Sequence, residues 1–476
     1  MCIGTSVLCA YSLTVIASCA RQHEAGSYQE LVLVMFGEGA RQCVQWIVIL
    51  FNFTGNIASL QVISSQAAPL LSLWFPAQMA GESPTLMQCD DSVPLHPVGA
   101  NGTTVHFQSN HLCVAWTMVA ATVLVTPLCL LRNIESLGPT STCAQRRLVP
   151  QPQRHSSCAG GALMHGCGAA CRMGACCVLF TSVVISIQGI DDPETDPRFE
   201  AHALNWRLTA FQAIPIVCFA TMCHFTVVPA TAALRPYFEP QPPFVTDYAT
   251  ATDPAQRSAA GAKRGGRVIV MLCISVMVWC NLLYVPVGVL GYRAFGSQSS
   301  SNILNNFGQK PAAVGAHFVP ETAEVLVARA CMKTTTCLSY PIFTFITRMA
   351  IVDVLSGGDS QRRSINHEGG SLAAQISTAR HCVITVVFLA LCAVCGVAVV
   401  LADISLGFTV SVIGATVVVA VEFFIPAAMC RSMGRTFSAL VFGLVGLVVL
   451  TLGLFVTVAD EACGDAETAF CKAVGA

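Results

Sequence analysis

The chain has 476 residues, 54% of them hydrophobic and only 11% charged, against about 25% charged in an ordinary soluble domain. So few charges cannot cover the surface of a globule this long, which excludes a soluble protein, and a net charge of −1 offers no basis for a nucleic-acid partner. Nearly uncharged stretches alternate instead with polar loops, and about 20 apolar residues are enough to cross about 30 Å of hydrocarbon.

In chain order the apolar stretches predict ten membrane-spanning helices, at 2–20, 43–72, 112–131, 168–188, 208–234, 268–291, 322–346, 381–402, 404–429 and 436–458. The expected fold class is an all-α polytopic membrane protein in the lipid bilayer, with 1–476 forming one transmembrane domain. Lys and Arg set its orientation. The loops 21–42, 132–166, 235–267, 347–380 and 430–435 hold 17 basic residues, while 75–111, 189–207, 292–320 and the tail from 459 hold 5. The first set is therefore expected to be cytoplasmic and the second extracytoplasmic. The sequon Asn101-Gly102-Thr103 and the acidic stretch from Asp191 to Asp196 fall outside.

This orientation places Met1 outside. A signal peptide is the rival reading, since the first span ends in an A-x-A-like Ala17-Ser18-Cys19-Ala20. It lacks a basic n-region, however, and cleavage would leave Arg21 and the 21–42 loop outside. A further span preceding Met1 is the expectation that repairs the parity.

The spans are rich in Gly, Ala, Ser and Cys, which lets helix backbones approach closely where lipid supplies no hydrophobic drive. Most of the 25 Cys are read as packing residues. His155, Cys158, His165, Cys167, Cys171, Cys176 and Cys177 match no zinc-finger spacing, and no metal is expected there. Cys463 and Cys471, in the outside tail, are disulfide candidates. No cofactor is expected.

The fifth span carries a histidine and a proline inside a run without charge from Leu208 to Leu234. Unpaired backbone at that depth is tolerated where it lines a cavity. In the seventh span Arg329 and Lys333 lie four residues apart, and Glu422 lies inside a later span. Each such charge costs about 2.5–3.5 kcal/mol on insertion scales, so a Lys333–Glu422 pair is expected to reduce the cost. Arg329 is read as snorkelling to water near the outer boundary.

Five segments then carry a family resemblance. They are 127–141 (PLCLLRNIESLGPTS), 27–42 (SYQELVLVMFGEGARQ), 223–229 (CHFTVVP), 329–348 (RACMKTTTCLSYPIFTFITR) and 413–426 (IGATVVVAVEFFIP). In this order they resemble the end of the fourth helix, the loop before the third, and the sixth, eighth and tenth helices of the amino acid/auxin permease family. The likeness is strongest to its system A and N neutral amino acid transporters. It implies a leucine-transporter-like inverted-repeat fold in which this chain supplies helices two to eleven and the first helix is missing.

The resemblance also implies a substrate site at an unwound centre of the sixth helix, Phe219, Ala220, Thr221, Met222, Cys223 and His224. Pro229, which gives no hydrogen bond to residue 225, would help keep it open. The family's Pro and Glu after the His are Phe225 and Thr226 here, so side-chain specificity does not carry over. In sodium-coupled relatives the eighth helix offers two hydroxyls before its proline. These positions are Cys337 and Ser339, and Lys333 lies one turn before Cys337.

The implied function is secondary active transport of an amino acid by alternating access, with H+ or Na+ as coupling ion or the solute gradient alone, at the plasma or the vacuolar/lysosomal membrane. A non-transporting amino acid sensor on the same scaffold and an inactive truncated transporter are the alternatives. Ten spans disfavour a seven-span receptor, and enzymatic activity is not expected.

Overall fold

The computed structural model describes residues 2–74, 111–130, 176–187, 211–234, 254–295, 299–307, 322–355, 377–402 and 404–463. The expectations on Asn101, on the 189–207 loop, on His155 to Cys171 and on Cys471 lie outside these residues. Among the described residues there are helices and no strand.

In chain order the helices are α1 (Cys2–Gln22), α2 (Tyr28–Phe36), α3 (Glu38–Trp74), α4 (His111–Cys129), α5 (Cys176–Ile187), α6 (Ala213–Thr221), α7 (His224–Leu234) and α8 (Pro254–Phe295). A 3-10 turn, Ile303–Asn306, precedes α9 (Ala323–Leu355) and α10 (Thr378–Leu401). The rods α11 (Leu406–Ser432) and α12 (Thr436–Ala459) complete the order. Among the described residues, eight helices, with α6 and α7 counted as one, are long and apolar enough to cross a membrane, and Val114–Cys129 and α5 are shorter apolar helices. Each of the ten expected spans thus has a helical counterpart.

Polytopic membrane character is also visible on the helix surfaces. Met271, Trp279 and Leu282 of α8 and Val383, Leu391 and Val394 of α10 are exposed. Such an apolar surface suits lipid and not water. The helix α2 lies within the stretch read as a loop. Ser27 Oγ accepts from the Glu30 backbone N–H at 3.1 Å and Glu30 Oε2 accepts from that of Gly26 at 2.8 Å, a reciprocal cap that nucleates a short helix. Gly37, at φ +86°, ends it. At the turn between α11 and α12, Gly434 takes φ +74°.

The chain divides into two compact units, Met1–Val48 with Trp206–Leu282 and Val410–Ala476, and Ile49–Asn205 with Leu283–Thr409. In the first unit α1 packs on α6, α7 and the C-terminal part of α11, and α6 packs on the middle of α11. The ring of Tyr11 stacks on Phe442 of α12 at 5.4 Å, and its hydroxyl lies 2.8 Å from Ser438 Oγ. In the second unit α4 packs on α9 and α10 around Leu60, Met118, Tyr340, Phe388 and Leu389.

Arg329, read from sequence as snorkelling, does not reach water. It is 2% exposed, Nη1 donates to Gln66 Oε1 at 2.8 Å, and Nη2 donates to the Phe307 carbonyl at 3.0 Å. Gln66 Nε2 donates onward to Asn305 Oδ1 at 2.8 Å. Interior acceptors placed at the right distance replace the solvent that snorkelling would seek. Arg348 is held likewise, donating to the Cys129 carbonyl at 3.0 Å and to Thr385 Oγ1 at 3.2 Å.

Candidate functional site

The uncharged span from Ala213 to Ala232 is two helices. Helix α6 ends at Thr221, Met222 turns out of helical geometry at φ −68° and ψ 99°, and α7 restarts at His224. The interruption is narrower than the six residues expected. Phe219, Ala220 and Thr221 stay in the last turn of α6, where Thr221 Oγ1 donates back to the Val217 carbonyl at 2.9 Å. Cys223 turns its carbonyl into the first turn of α7, accepting from the backbone N–H of Thr226 at 3.0 Å and from its hydroxyl at 2.7 Å. Two residues, Met222 and Cys223, therefore suffice to break the helix, and the helix ends on either side present backbone carbonyls and N–H groups within the span.

What backs the interruption comes from α1 and α11. The middle of α11 widens into two π-helical turns, Gly414–Val418 and Ala420–Phe424, a feature frequent at functional sites. Gly414 is required there. A Cβ at this position would lie 2.0 Å from the Pro215 carbonyl oxygen, so only glycine lets α11 come this close to α6. The second π turn carries Glu422, whose side chain is fully buried.

Around Glu422 the first unit assembles a polar cluster. His224 Nδ1 lies 3.7 Å from Glu422 Oε1, and Cys9 Sγ lies 3.8 Å from the same oxygen. Ser12 Oγ donates to the Glu422 carbonyl at 2.7 Å and lies 3.0 Å from His224 Nε2. Cys9, Ser12, His224 and Glu422 are all 0% exposed. His224 Nδ1 and Glu422 Oε2 make no hydrogen bond among the described residues.

Sequence reasoning singled out His224 and Glu422 separately and missed both Cys9 and Ser12. The available signal was a stripe of small polar residues on α1, where Ser6, Cys9, Ser12 and Cys19 are all buried. Lys333, the partner expected for Glu422, belongs to the second unit, as do Cys337 and Ser339. All three lie on α9. Lys333 is half-buried, Cys337 packs beside the cluster around Tyr340, and Ser339 Oγ donates to the Thr335 carbonyl of its own helix at 2.9 Å.

The arrangement as a whole is an interrupted, uncharged span backed by buried polar side chains in a bundle of membrane-crossing helices. Among known proteins, the chain is similar to the sodium-coupled neutral amino acid transporter 7 of Xenopus laevis, 22% identical over 341 residues, covering 71% of this chain and 55% of the relative. It is similar as well to amino acid transporter AVT6E of Arabidopsis thaliana, 23% identical over 253 residues, covering 52% of this chain and 40% of the relative. The chain spans about half the length of these curated relatives. Residues 1–237 and 267–458 match the family described as transmembrane amino acid transporter protein, and with a match over most of its length the chain belongs to that family.

Proposed function

We propose that the protein is a secondary active transporter that moves neutral amino acids across a membrane by alternating access. The observation that carries this reading is the break at Met222–Cys223 inside an apolar span. An amino acid carries a carboxylate and an ammonium on one carbon, and the two ends of a broken helix offer the complementary partners. The backbone N–H groups starting α7 suit the carboxylate, and the carbonyls ending α6 suit the ammonium. Phe219, Ala220, Met222 and Cys223 reach partly out of the packed interior and would border the substrate. Thr221 and His224 are buried and would hold the break in shape from behind.

One relative is named as sodium-coupled, yet we propose sodium-independent uptake driven by protons or exchange. Sodium, a hard cation, prefers oxygen ligands, and Cys337 offers a thiol at the first of the two positions on α9. The ammonium of Lys333 one turn away would repel a second cation.

The test is uptake of labelled neutral amino acids into liposomes containing the purified protein, with sodium replaced by a large organic cation at constant pH. The reading predicts accumulation that survives the replacement. Substrate binding without accumulation would favour a sensor on the same scaffold, and accumulation abolished without sodium would restore a sodium site that includes Ser339.

A further inference from the structure

Cys9, His224 and Glu422 come from three helices of the first unit, α1, α7 and α11, and their ligand atoms lie within 4.8 Å of one another. The separation of 3.7 Å from Nδ1 to Oε1 is too long for an N–H···O hydrogen bond, and at 3.8 Å the Cys9 thiol makes a weak sulfur contact with the same oxygen. Both distances suit a shared centre. Sulfur, nitrogen and oxygen ligands at about 2.0–2.3 Å from a tetrahedral zinc ion sit roughly 3.4–3.6 Å from each other, so a closure of a few tenths of an ångström brings these pairs to that spacing.

The hydrogen bonds around the cluster fix which atom of His224 is offered. Ser12 spends its hydroxyl proton on the Glu422 carbonyl, so its oxygen can only accept from the histidine 3.0 Å away. Nε2 therefore carries the ring proton and donates to Ser12, and Nδ1 bears a bare lone pair. That lone pair faces Cys9 and Glu422 and has no partner among the described residues, as is true of Glu422 Oε2. A ring nitrogen held by a hydrogen bond while the other nitrogen is free is the arrangement of a metal-binding histidine.

We propose that Cys9 Sγ, His224 Nδ1 and the Glu422 carboxylate form a binding site for one zinc-class transition-metal ion. Thiolate, carboxylate and neutral imidazole together balance the two positive charges in a fully buried place where an uncompensated charge would be costly. The thiol proton, and with it the carboxyl proton that burial favours in the empty site, leaves as the ion binds. The mixed sulfur, nitrogen and oxygen set selects zinc over magnesium or calcium, which take oxygen. An ion bound there ties α1 and α11 to the residue that opens α7, next to the interruption, and so restrains any rearrangement of the break. This inference stands on the geometry of the cluster and not on the transport reading.

The test is zinc titration of the purified protein in detergent, stripped with chelator and competed against a chromophoric chelator, with cobalt(II) substitution as a spectroscopic readout. Wild type is expected to bind one more zinc per chain than Cys9→Ser or His224→Gln, each weakening that ion's affinity by about a hundredfold or more. Ser12→Ala, which removes the bonds to Nε2 and to the Glu422 carbonyl but none of the three ligand atoms, is expected to weaken it by about tenfold. Cobalt is expected to give a thiolate-to-metal charge-transfer band that Cys9→Ser diminishes. Equal zinc stoichiometry and affinity in wild type and the variants, or a cobalt complex of wild type with no thiolate band, would overturn the proposal. Should Cys9→Ser not fold, the Ser12→Ala affinity and the wild-type cobalt spectrum decide.

Discussion

Arg329 in the second unit and Glu422 in the first are both buried ionisable groups on membrane-crossing helices, 2% and 0% exposed, yet their surroundings differ. Arg329 sits on α9 and places Nη1 and Nη2 on Gln66 and Phe307, with Gln66 anchored in turn by Asn305. Glu422 sits on a π turn facing a helix break; the Cys9 thiol makes only a weak contact with its Oε1 at 3.8 Å, His224 Nδ1 stands 3.7 Å away beyond hydrogen-bond reach, and Oε2 has no hydrogen-bond partner among the described residues. A buried charge held at normal hydrogen-bond distances fixes a fold. A buried cluster with bare polar atoms keeps binding capacity in reserve, which makes it the functional candidate.

If this contrast is sound, Arg329→Met should produce the largest stability loss. It strands the Gln66 and Phe307 acceptors in the interior, at about 4 kcal/mol for the two, read as a lowered denaturation midpoint in detergent. An unchanged midpoint would show that the second unit does not depend on this network. Gly414→Ala comes next, at about 3 kcal/mol, the upper end for overpacking. The Cβ meets Pro215 backbone at 2.0 Å and cannot be relieved by a rotating side chain. Wild-type stability in this variant would mean that α6 and α11 need not approach so closely.

Ser12→Ala removes two bonds from the first unit's cluster, each worth about 0.6–1.7 kcal/mol between membrane helices, and should cost about 2 kcal/mol. A loss as large as that of Arg329→Met would erase the distinction between the two regions. Ser339→Ala is expected to change stability by less than about 0.5 kcal/mol, because its hydroxyl bonds only to its own helix at Thr335. It should also leave uptake unaltered if sodium is not the coupling ion, so a collapse of uptake in this variant would argue for a cation at Ser339.

The spans were legible in the sequence because charge-free runs of membrane length have few other uses, and the break near Cys223 was legible through the family resemblance. Its width was not, since Thr221 and Thr226 use their own hydroxyls to hold the helices on either side close to the gap. Nor was the association of Cys9 and Ser12 with His224 and Glu422. These residues lie more than 200 positions apart along the chain, and a Cys or Ser on an apolar helix reads locally as packing. The first π turn begins at Gly414, where the backbone passes close to Pro215, a tertiary contact with no signature in the sequence around either residue. Arg329 was misjudged for a related reason, because its acceptors on Gln66 and Phe307 are set by the fold.

The most direct measurement is labelled neutral amino acid uptake by Cys223→Leu against wild type, at matched surface expression and with thermal stability recorded for both. Cys223 is half-buried in the interruption and packs beside the cluster of Cys9, Leu13 and Cys273, so a larger, branched side chain there would crowd the helix ends that the proposed substrate meets. The account predicts a folded protein that has lost most of its uptake. Uptake equal to wild type in a folded, well-expressed Cys223→Leu protein would contradict the assignment of the break at Met222–Cys223 as the transport site.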